Sequence, residues 1–388
     1  MSPDIVIVGA GPAGLCLARA LSGHGLSIVV LERQAEQALA EPAFDGREIA
    51  LTHGSQALLE RLGLWARLPS KEVAVLRDAQ VFNGPSLFAL KIRAEQAGAE
   101  RLGHLVANQA IRRAAYQAVR ECADVQLLCE TGVRAIEQNQ GEMKLVLHDG
   151  QVLQPRLLVA ADSRMSQTRQ ALGIGVRTFR YGQKALAFAV THEVPHENVS
   201  TEIHRSGGPF TLVPLPDRGG KPCSAVIWME NGREVARLAA LPSDVFAAEL
   251  NARSAGVLGH LTLATRLSQW PIISQIAHRF TGPRTALIAE AAHVVPPIGA
   301  QGLNMSLADL SALLDLSGDE PGHPDGLAAY DRARRPEAYA RLLGIDALNR
   351  ASQASLRPLR DLRAAALGGL YGIAPVRRLM MRAGLGMR

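Results

Sequence analysis

The sequence predicts an α/β chain: a parallel-sheet nucleotide-binding unit, an antiparallel sheet inserted into it, and helices at the C-terminal end. Three observations predict this. The N-terminus reads strand, glycine turn, helix, strand. Residues 180–279 alternate apolar and polar positions between turn residues, the period of half-buried strands. Past residue 341 apolar residues recur at helical spacing. With 388 residues, 47% of them hydrophobic and 20% charged, the chain has room for two sizeable cores and is not disordered.

The first element is "DIVIVGAGPAGLCLARALSGHGLSIVVLER". Asp4 to Val8 is a short apolar strand; Gly9, Gly11 and Gly14 follow at G-x-G-x-x-G spacing around Pro12 and Ala13; Leu15, Ala18 and Leu21 give a helical stripe. The first glycine permits a tight turn, the second lets backbone approach a pyrophosphate, and the third allows close helix–strand packing. The helix N-terminus offers free N–H groups and a positive dipole end to phosphates. Glu32, followed by Arg33, ends the second strand, where a carboxylate can accept hydrogen bonds from an adenosine ribose. This is a Rossmann-type unit, and its fingerprint fits FAD and NAD equally well. No second G-x-G-x-x-G stands in the same context, since "LGIGV" at Leu172 to Val176 lacks the third glycine.

Between Arg180 and Arg279, "KALAFAVTHEV", "VSTEIHR", "PFTLVPLPD" and "CSAVIWME" alternate as strands, and a helix-like run covers Pro242 to Ala252. Residues 71–98 are expected to add strands beside this sheet. In the tail, Leu356, Leu359, Leu362 and Leu370 interleave with Arg357, Arg360 and Arg363. The net charge of +6 is concentrated there: from Arg350 onward eight arginines face one acid, Asp361, while the remainder holds 34 basic and 35 acidic residues. A nucleic-acid-binding face on the body is therefore not expected. The four cysteines show no metal-ligand or disulfide spacing, and no run reaches the roughly 18 apolar residues that span a bilayer. The expected compartment is the cytoplasm, with the basic tail a candidate for docking at a membrane surface.

Three later segments carry a resemblance: "FDGREIALTHGSQALLERLGLW", "LLVAADSRMSQTRQALGI" and "AEAAHVVPPIGAQGLNMSLAD". In this order they resemble the para-hydroxybenzoate hydroxylase-like, class A flavoprotein monooxygenases. "LGHLVANQAIRRAAYQAV" and the C-terminal "YDRARRPEAYARLLGIDALNR" resemble more narrowly the FAD-dependent hydroxylases of ubiquinone biosynthesis. The resemblance implies a Rossmann-type FAD-binding domain in three parts (1–70, 99–179 and 280–340). It also implies strands at 71–98 joining a substrate domain at 180–279, and basic amphipathic helices at 341–388.

The same resemblance assigns cofactor-binding roles. The loop before a helix, here Pro297 to Asn304, would lie against the isoalloxazine ring. Gly299 and Gly302 would allow close approach beside Gln301, and the N–H groups of Leu303 and Asn304 would face the flavin edge where charge collects on reduction. Glu290 stands where the family usually has Asp on the ribityl chain. Arg47 and Asn108 would contact the phosphate or ribityl region, Val133 the adenine, and Asp162 the pyrophosphate groove shared with NADPH or NADH, the transient reductant. Two positions depart from the family: Ser163 replaces the glycine of an Asp-Gly pair, and Ala289-Glu290 replaces Gly-Asp.

The implied activity is hydroxylation of the aromatic ring of a polyprenyl-phenol or polyprenyl-quinol with O₂, by way of a flavin C4a-hydroperoxide. The implied partners are that hydrophobic substrate and, through the basic tail, a membrane surface or other ubiquinone-biosynthesis proteins. Two alternatives stand beside it: a hydroxylase of a small soluble aromatic acid, with a polar anion-binding pocket, or an FAD-binding scaffold without turnover. Such chemistry needs no metal. His53 and His293 are expected to be hydrogen-bonded structural residues, and neither Tyr181 nor His192 is marked as a base by position; the sequence singles out no acid–base residue.

Overall fold

The computed structural model describes residues 2–83, 89–139, 142–205, 207–316 and 320–353. The expected helices of the tail beyond Gln353 lie outside these. A parallel sheet forms the first layer, ordered Thr285–Leu287, Leu157–Ala160, Ile5–Val8, Ile28–Leu31, Val125–Leu128, with Thr281–Gly282 antiparallel at one edge. Its three central strands, Leu157–Ala160, Ile5–Val8 and Ile28–Leu31, are apolar at every position because both faces are covered. Ile5, Ile7, Ile28, Val30, Leu157 and Val159 face a core shared with helices Pro12–Leu21, Asn108–Arg120 and Gln301–Leu316. Val6, Val29, Leu31 and Leu158 face the meander Val133–Asn139, Glu142–Leu147, Val152–Leu153 through Met143, Leu145 and Leu147. The α/β class read from the sequence is the class observed.

A second, larger sheet is built on Val176–Thr191, Val199–His204, Pro209–Arg218, Lys221–Asn231 and Ser268–Ala277. One face packs Leu186, Phe188, Val190, Ile203, Phe210, Leu212, Val226 and Trp228 against helices Gly232–Ala239 and Ser243–Ser254. The alternate residues, among them Ala185, Ala187, Ile227, Val213 and Glu202, form the opposite face and line a cleft.

Residues 71–98 divide between two sheets. Asp78–Asn83 joins the large sheet by pairing in parallel with Val199–His204, and Ala89–Arg93 pairs with it in turn. Val73–Leu76 instead pairs with Gly103–Ala107, which also holds Glu48–Leu51. The chain changes sheets at Arg77, whose N–H donates to the Asn198 carbonyl. At the other end, Pro324–Gln353 is one continuous helix, so the position expected to open the C-terminal helices, residue 341, falls inside it.

Candidate active site

The carboxyl ends of the parallel strands and the inner face of the large sheet enclose a cleft of about 1060 Å³. Open α/β sheets bind ligands at this end of the strands. Gly9, Gly11, Pro12, Ala13, Glu32, Arg33, Arg47, Asn108, Val133, Asp162, Glu290, Pro297, Gly299, Gln301, Gly302 and Leu303 all line it. Gly14 and Asn304 do not.

At the first turn the three glycines have separate roles. Gly9 has φ +109°, and a Cβ there would stand 2.5 Å from the Ala161 carbonyl oxygen. A Cβ on Gly14 would stand 2.0 Å from the Gly9 oxygen, so Gly14 packs turn against helix and stays behind the cleft wall. A Cβ on Gly11 would meet nothing within 4 Å. That open side, on the N-cap of a helix with no side-chain cap, is where an anion can reach backbone N–H groups. Glu32 accepts from the Ala10 N–H (2.9 Å) and the Gln34 N–H (2.9 Å), so it braces the turn from within the cleft.

Asp45, which the sequence reading passed over, organises the middle of the groove. Its carboxylate accepts from Arg47 Nε (2.9 Å) and Nη2 (2.7 Å) and from Asn108 Nδ2 (2.7 Å). Arg47 also lies over the Trp270 ring, 5.2 Å from its centroid. Two residues far apart in sequence are thus fixed by one carboxylate at the edge of the strand pair Glu48–Leu51 and Gly103–Ala107. Asp162 caps the turn after its strand by accepting from the Thr168 N–H and hydroxyl, both at 3.1 Å.

The two departures noted in the sequence both fall on backbone that favours glycine: Ser163 has φ +90° and Ala289 φ +55°. Ser163→Gly is therefore expected to raise stability by about 1 kcal/mol, read as a higher urea midpoint at unchanged slope.

Around the proline loop, Gly299 has φ +66° and turns the chain into helix Gln301–Leu316. Asn304 faces away from the cleft: its Nδ2 donates to the Ala50 carbonyl (2.7 Å) and its Oδ1 accepts from the Thr52 N–H (3.1 Å). It ties the helix to strand Glu48–Leu51. Beneath the loop, fully buried Asp309 accepts from the Ala289 N–H (3.0 Å), His293 Nε2 (2.7 Å) and Arg334 Nε and Nη2 (3.0 Å each). His293 is thereby a brace. Glu290, next to this anchored backbone, is exposed and projects into the cleft.

His53 bonds the Arg101 carbonyl (2.8 Å), Tyr181 donates to Asp346 (2.6 Å), and His192 bonds Ser224 and the Val194 carbonyl; none of these lines the cleft. Glu202 and His204 do, paired with each other on the inner face of the large sheet. The signal for them was the i, i+2 spacing in "TEIHR", which puts both on one face of a strand. Glu48 faces both this cleft and a smaller cavity of about 230 Å³ lined by Phe44, Lys71 and Glu72. Burial raises its pKa from 4.5 to about 8, with Asp45 and Glu72 adding to the rise. A folded-state value above the unfolded one means that stability falls as pH rises from about 4.5 to about 8. Glu48→Gln is expected to remove that slope and to gain about 2 kcal/mol at pH 8, checked by urea unfolding at pH 5 and pH 8.

A family profile described as FAD binding domain matches residues 2–342. Ubiquinone hydroxylase UbiL of Rhodospirillum rubrum is 34% identical over 99% of this chain and 89% of its own length. Ubiquinone hydroxylase UbiM of Neisseria meningitidis is 33% identical over 98% of this chain and 84% of its own. The chain belongs to the FAD-binding domain family, among its ubiquinone-biosynthesis hydroxylases. Its fold is that of p-nitrophenol 4-monooxygenase PnpA from Pseudomonas putida, with a TM-score of 0.80, 18% identity and coverage of 100% of this chain and 99% of that one.

The groove fits the cofactor that defines the family. The open side of Gly11 and the uncapped helix N-terminus suit a pyrophosphate. Arg47, held by Asp45, sets a cation midway along the groove, and the Gly299–Leu303 turn lines it farther on. Among the described residues no cluster of His, Cys, Asp and Glu is placed to hold a metal ion, and no helix is long and apolar enough to cross a membrane.

Proposed function

We propose that this protein is an FAD-dependent monooxygenase that hydroxylates the aromatic ring of a polyprenyl-phenol or polyprenyl-quinol in ubiquinone biosynthesis. The observation that carries the substrate class is the chemistry of the chamber wall. The large sheet contributes Ala79, Val81, Leu90, Ile92, Ala187 and Ile227 to the cleft and, among the described residues, no Lys or Arg. An aromatic acid would need a cation to replace its hydration; an apolar ring and tail need none. The lining continues through Ile298 and Ile345 to Leu348, which is 46% exposed and marks an apolar way out for a chain longer than the chamber.

FAD, bound from Gly11 to the Gly299–Leu303 turn, supplies the redox chemistry, drawing on NAD(P)H and O₂. The protein's part is to hold it and to keep the ring in a dry enclosure. Pro297, Gly299, Gln301, Gly302 and Leu303 support the ring end, Glu290 the ribityl chain, and Glu32, Arg33 and Val133 the adenosine end. Apolar walls exclude the water that would divert activated oxygen. The arginines of residues 354–388 suit docking at an anionic membrane, each worth about 1 kcal/mol, and a membrane is where such a substrate resides. The test is complementation: express the chain in strains that each lack one ring hydroxylase, and identify by mass which quinone intermediate is consumed. Consumption of none, by protein that carries FAD, rejects the reading.

A further inference from the structure

Two spaces lie between the large sheet and the strand pair Glu48–Leu51 and Gly103–Ala107. On three strands of the large sheet the inner face passes from one space to the other in a single same-face step. Ala187, Val213 and Ile227 line the cleft, while Ala189, Leu215 and Ala225, two positions away on the same strands, line the cavity of about 230 Å³. From the opposite side, Ile49 and Leu51 pack against the core of the parallel sheet, which turns Glu48 and Ala50 toward the large sheet. Ala50 lines the cleft alone; Glu48 is the one described residue that lines both spaces.

Glu48 sits at that border with no ion pair or side-chain hydrogen bond among the described residues, and neither of its oxygens is sealed by its neighbours. The groups around it offer no cation. On its own loop, Asp45 is satisfied by Arg47 and Asn108, and across from it Glu72 pairs with Arg113 at 3.0 Å. Lys71 and Arg218 line the small cavity from exposed positions beside Asp217, and neither pairs with Glu48. Cys223, buried on the facing strand, stays a neutral thiol. Burial first, then the charges of Asp45 and Glu72, push the Glu48 pKa up to about 8. The result is a protonated carboxyl with the cleft on one side and a solvent-facing, charged opening on the other.

Hydroxylation with O₂ and NAD(P)H consumes one proton per turnover: ring C–H, O₂, NAD(P)H and H⁺ become ring C–OH, H₂O and NAD(P)⁺. A chamber that excludes water has no solvent at hand to supply that proton. We propose that Glu48 carries it from the small cavity into the cleft. The inference rests on the monooxygenase reading above. In the step, the O–H bond of the Glu48 carboxyl breaks, the electron pair stays on the carboxylate, and the proton goes to the oxygen atom of O₂ that ends as water. The carboxylate then takes a proton from water in the small cavity, which the exposed Lys71, Asp217 and Arg218 leave open to solvent. Protons and the apolar substrate thus use different routes, and the way out past Ile345 and Leu348 stays dry.

The experiment uses the full-length FAD holoenzyme, with 2-geranylphenol as the ring probe. Infrared difference spectra of the parent minus Glu48→Gln, taken without substrate, report the C=O stretch of the protonated carboxyl. That band should be present at about pH 6 and vanish with a midpoint of about 8. Two half-reactions are then timed separately. Anaerobic bleaching of the flavin by NAD(P)H transfers a hydride and consumes no proton, so Glu48→Gln should stay within about threefold of the parent. Product formation after O₂ is mixed with dithionite-reduced, probe-loaded enzyme should fall roughly 10²-fold in Glu48→Gln. In the parent that rate should decline as pH rises through about 8, and in Glu48→Gln it should not respond.

The inference is overturned if Glu48 is already ionised at pH 7, if Glu48→Gln forms product at the parental rate, or if both half-reactions fall together. Should the variant not take up FAD, the parent's own pH profile decides: a decline through about 8 supports the inference, and a flat profile rejects it. A parent that reduces its flavin and forms no product from the phenol removes the hydroxylase reading and this inference together. A parent that forms product while Glu48→Gln matches it across the pH range removes the inference alone.

Discussion

Gly14→Ala is expected to leave a protein that cannot retain FAD, whereas Gly11→Ala is expected to fold normally and bind FAD at least tenfold more weakly. The difference follows from what each new methyl group meets. At Gly14 it would lie 2.0 Å from the Gly9 carbonyl oxygen, a backbone atom that cannot rotate aside. The turn and the helix must separate, at about 3 kcal/mol or more. At Gly11 the methyl group meets nothing in the protein itself. It occupies only the space through which a pyrophosphate reaches the N-terminus of helix Pro12–Leu21. Thermal unfolding of the FAD-free proteins separates the two cases, with Gly14→Ala melting well below the parent and Gly11→Ala melting with it. Titration of flavin fluorescence then gives the affinities. Equal melting of both variants would mean that the third glycine is not a packing device.

Asp309→Ala is expected to destabilise the protein by about 3–5 kcal/mol, because it strands the guanidinium of Arg334, which is only 3% exposed. Glu337 also pairs with Arg334 but is itself half exposed, so it offsets little of the loss. Asp309 also receives the Ala289 N–H and His293, so the backbone that carries Glu290 loses its anchor in the same variant. Urea unfolding should show the lower midpoint, and flavin titration should show weaker binding. Asp309→Asn, which keeps an acceptor but not the charge, should fall between the parent and Asp309→Ala. A fully stable Asp309→Ala would show that Arg334 finds water or Glu337 as a sufficient substitute.

The parallel sheet was legible because its determinants are local: glycines at fixed spacing, apolar runs covered on both faces, and a helical stripe directly after the turn. The residues read from the glycine fingerprint and from the family resemblance come together around one cleft except Gly14, held behind it by packing, and Asn304, turned away to bind strand Glu48–Leu51. Asp45 and Asp309 were not legible for a physical reason. Each acts through a partner that the chain brings close only after folding: Asp45 on Asn108 and Asp309 on Arg334. A composition scan sees an acid or a histidine in a polar segment and has no basis for preferring it to its neighbours. Residues 71–98 show the same limit. Their alternation marks strands, but the change of sheet at Arg77 is decided by pairing with Gly103–Ala107 on one side and Val199–His204 on the other.

That last pairing bears on how the protein is made. Gln80 and Thr201, hydrogen-bonded across the parallel seam, are 121 positions apart in the chain. On the ribosome, Asp78–Asn83 therefore emerges long before the segment that will cover its flank. Until then the growing polypeptide carries a strand with unanswered amide and carbonyl groups along one side, the kind of edge that recruits stray strands from other nascent chains. Synthesis speed across the intervening stretch, and any chaperone that shields the strand meanwhile, would govern yield without altering the finished molecule.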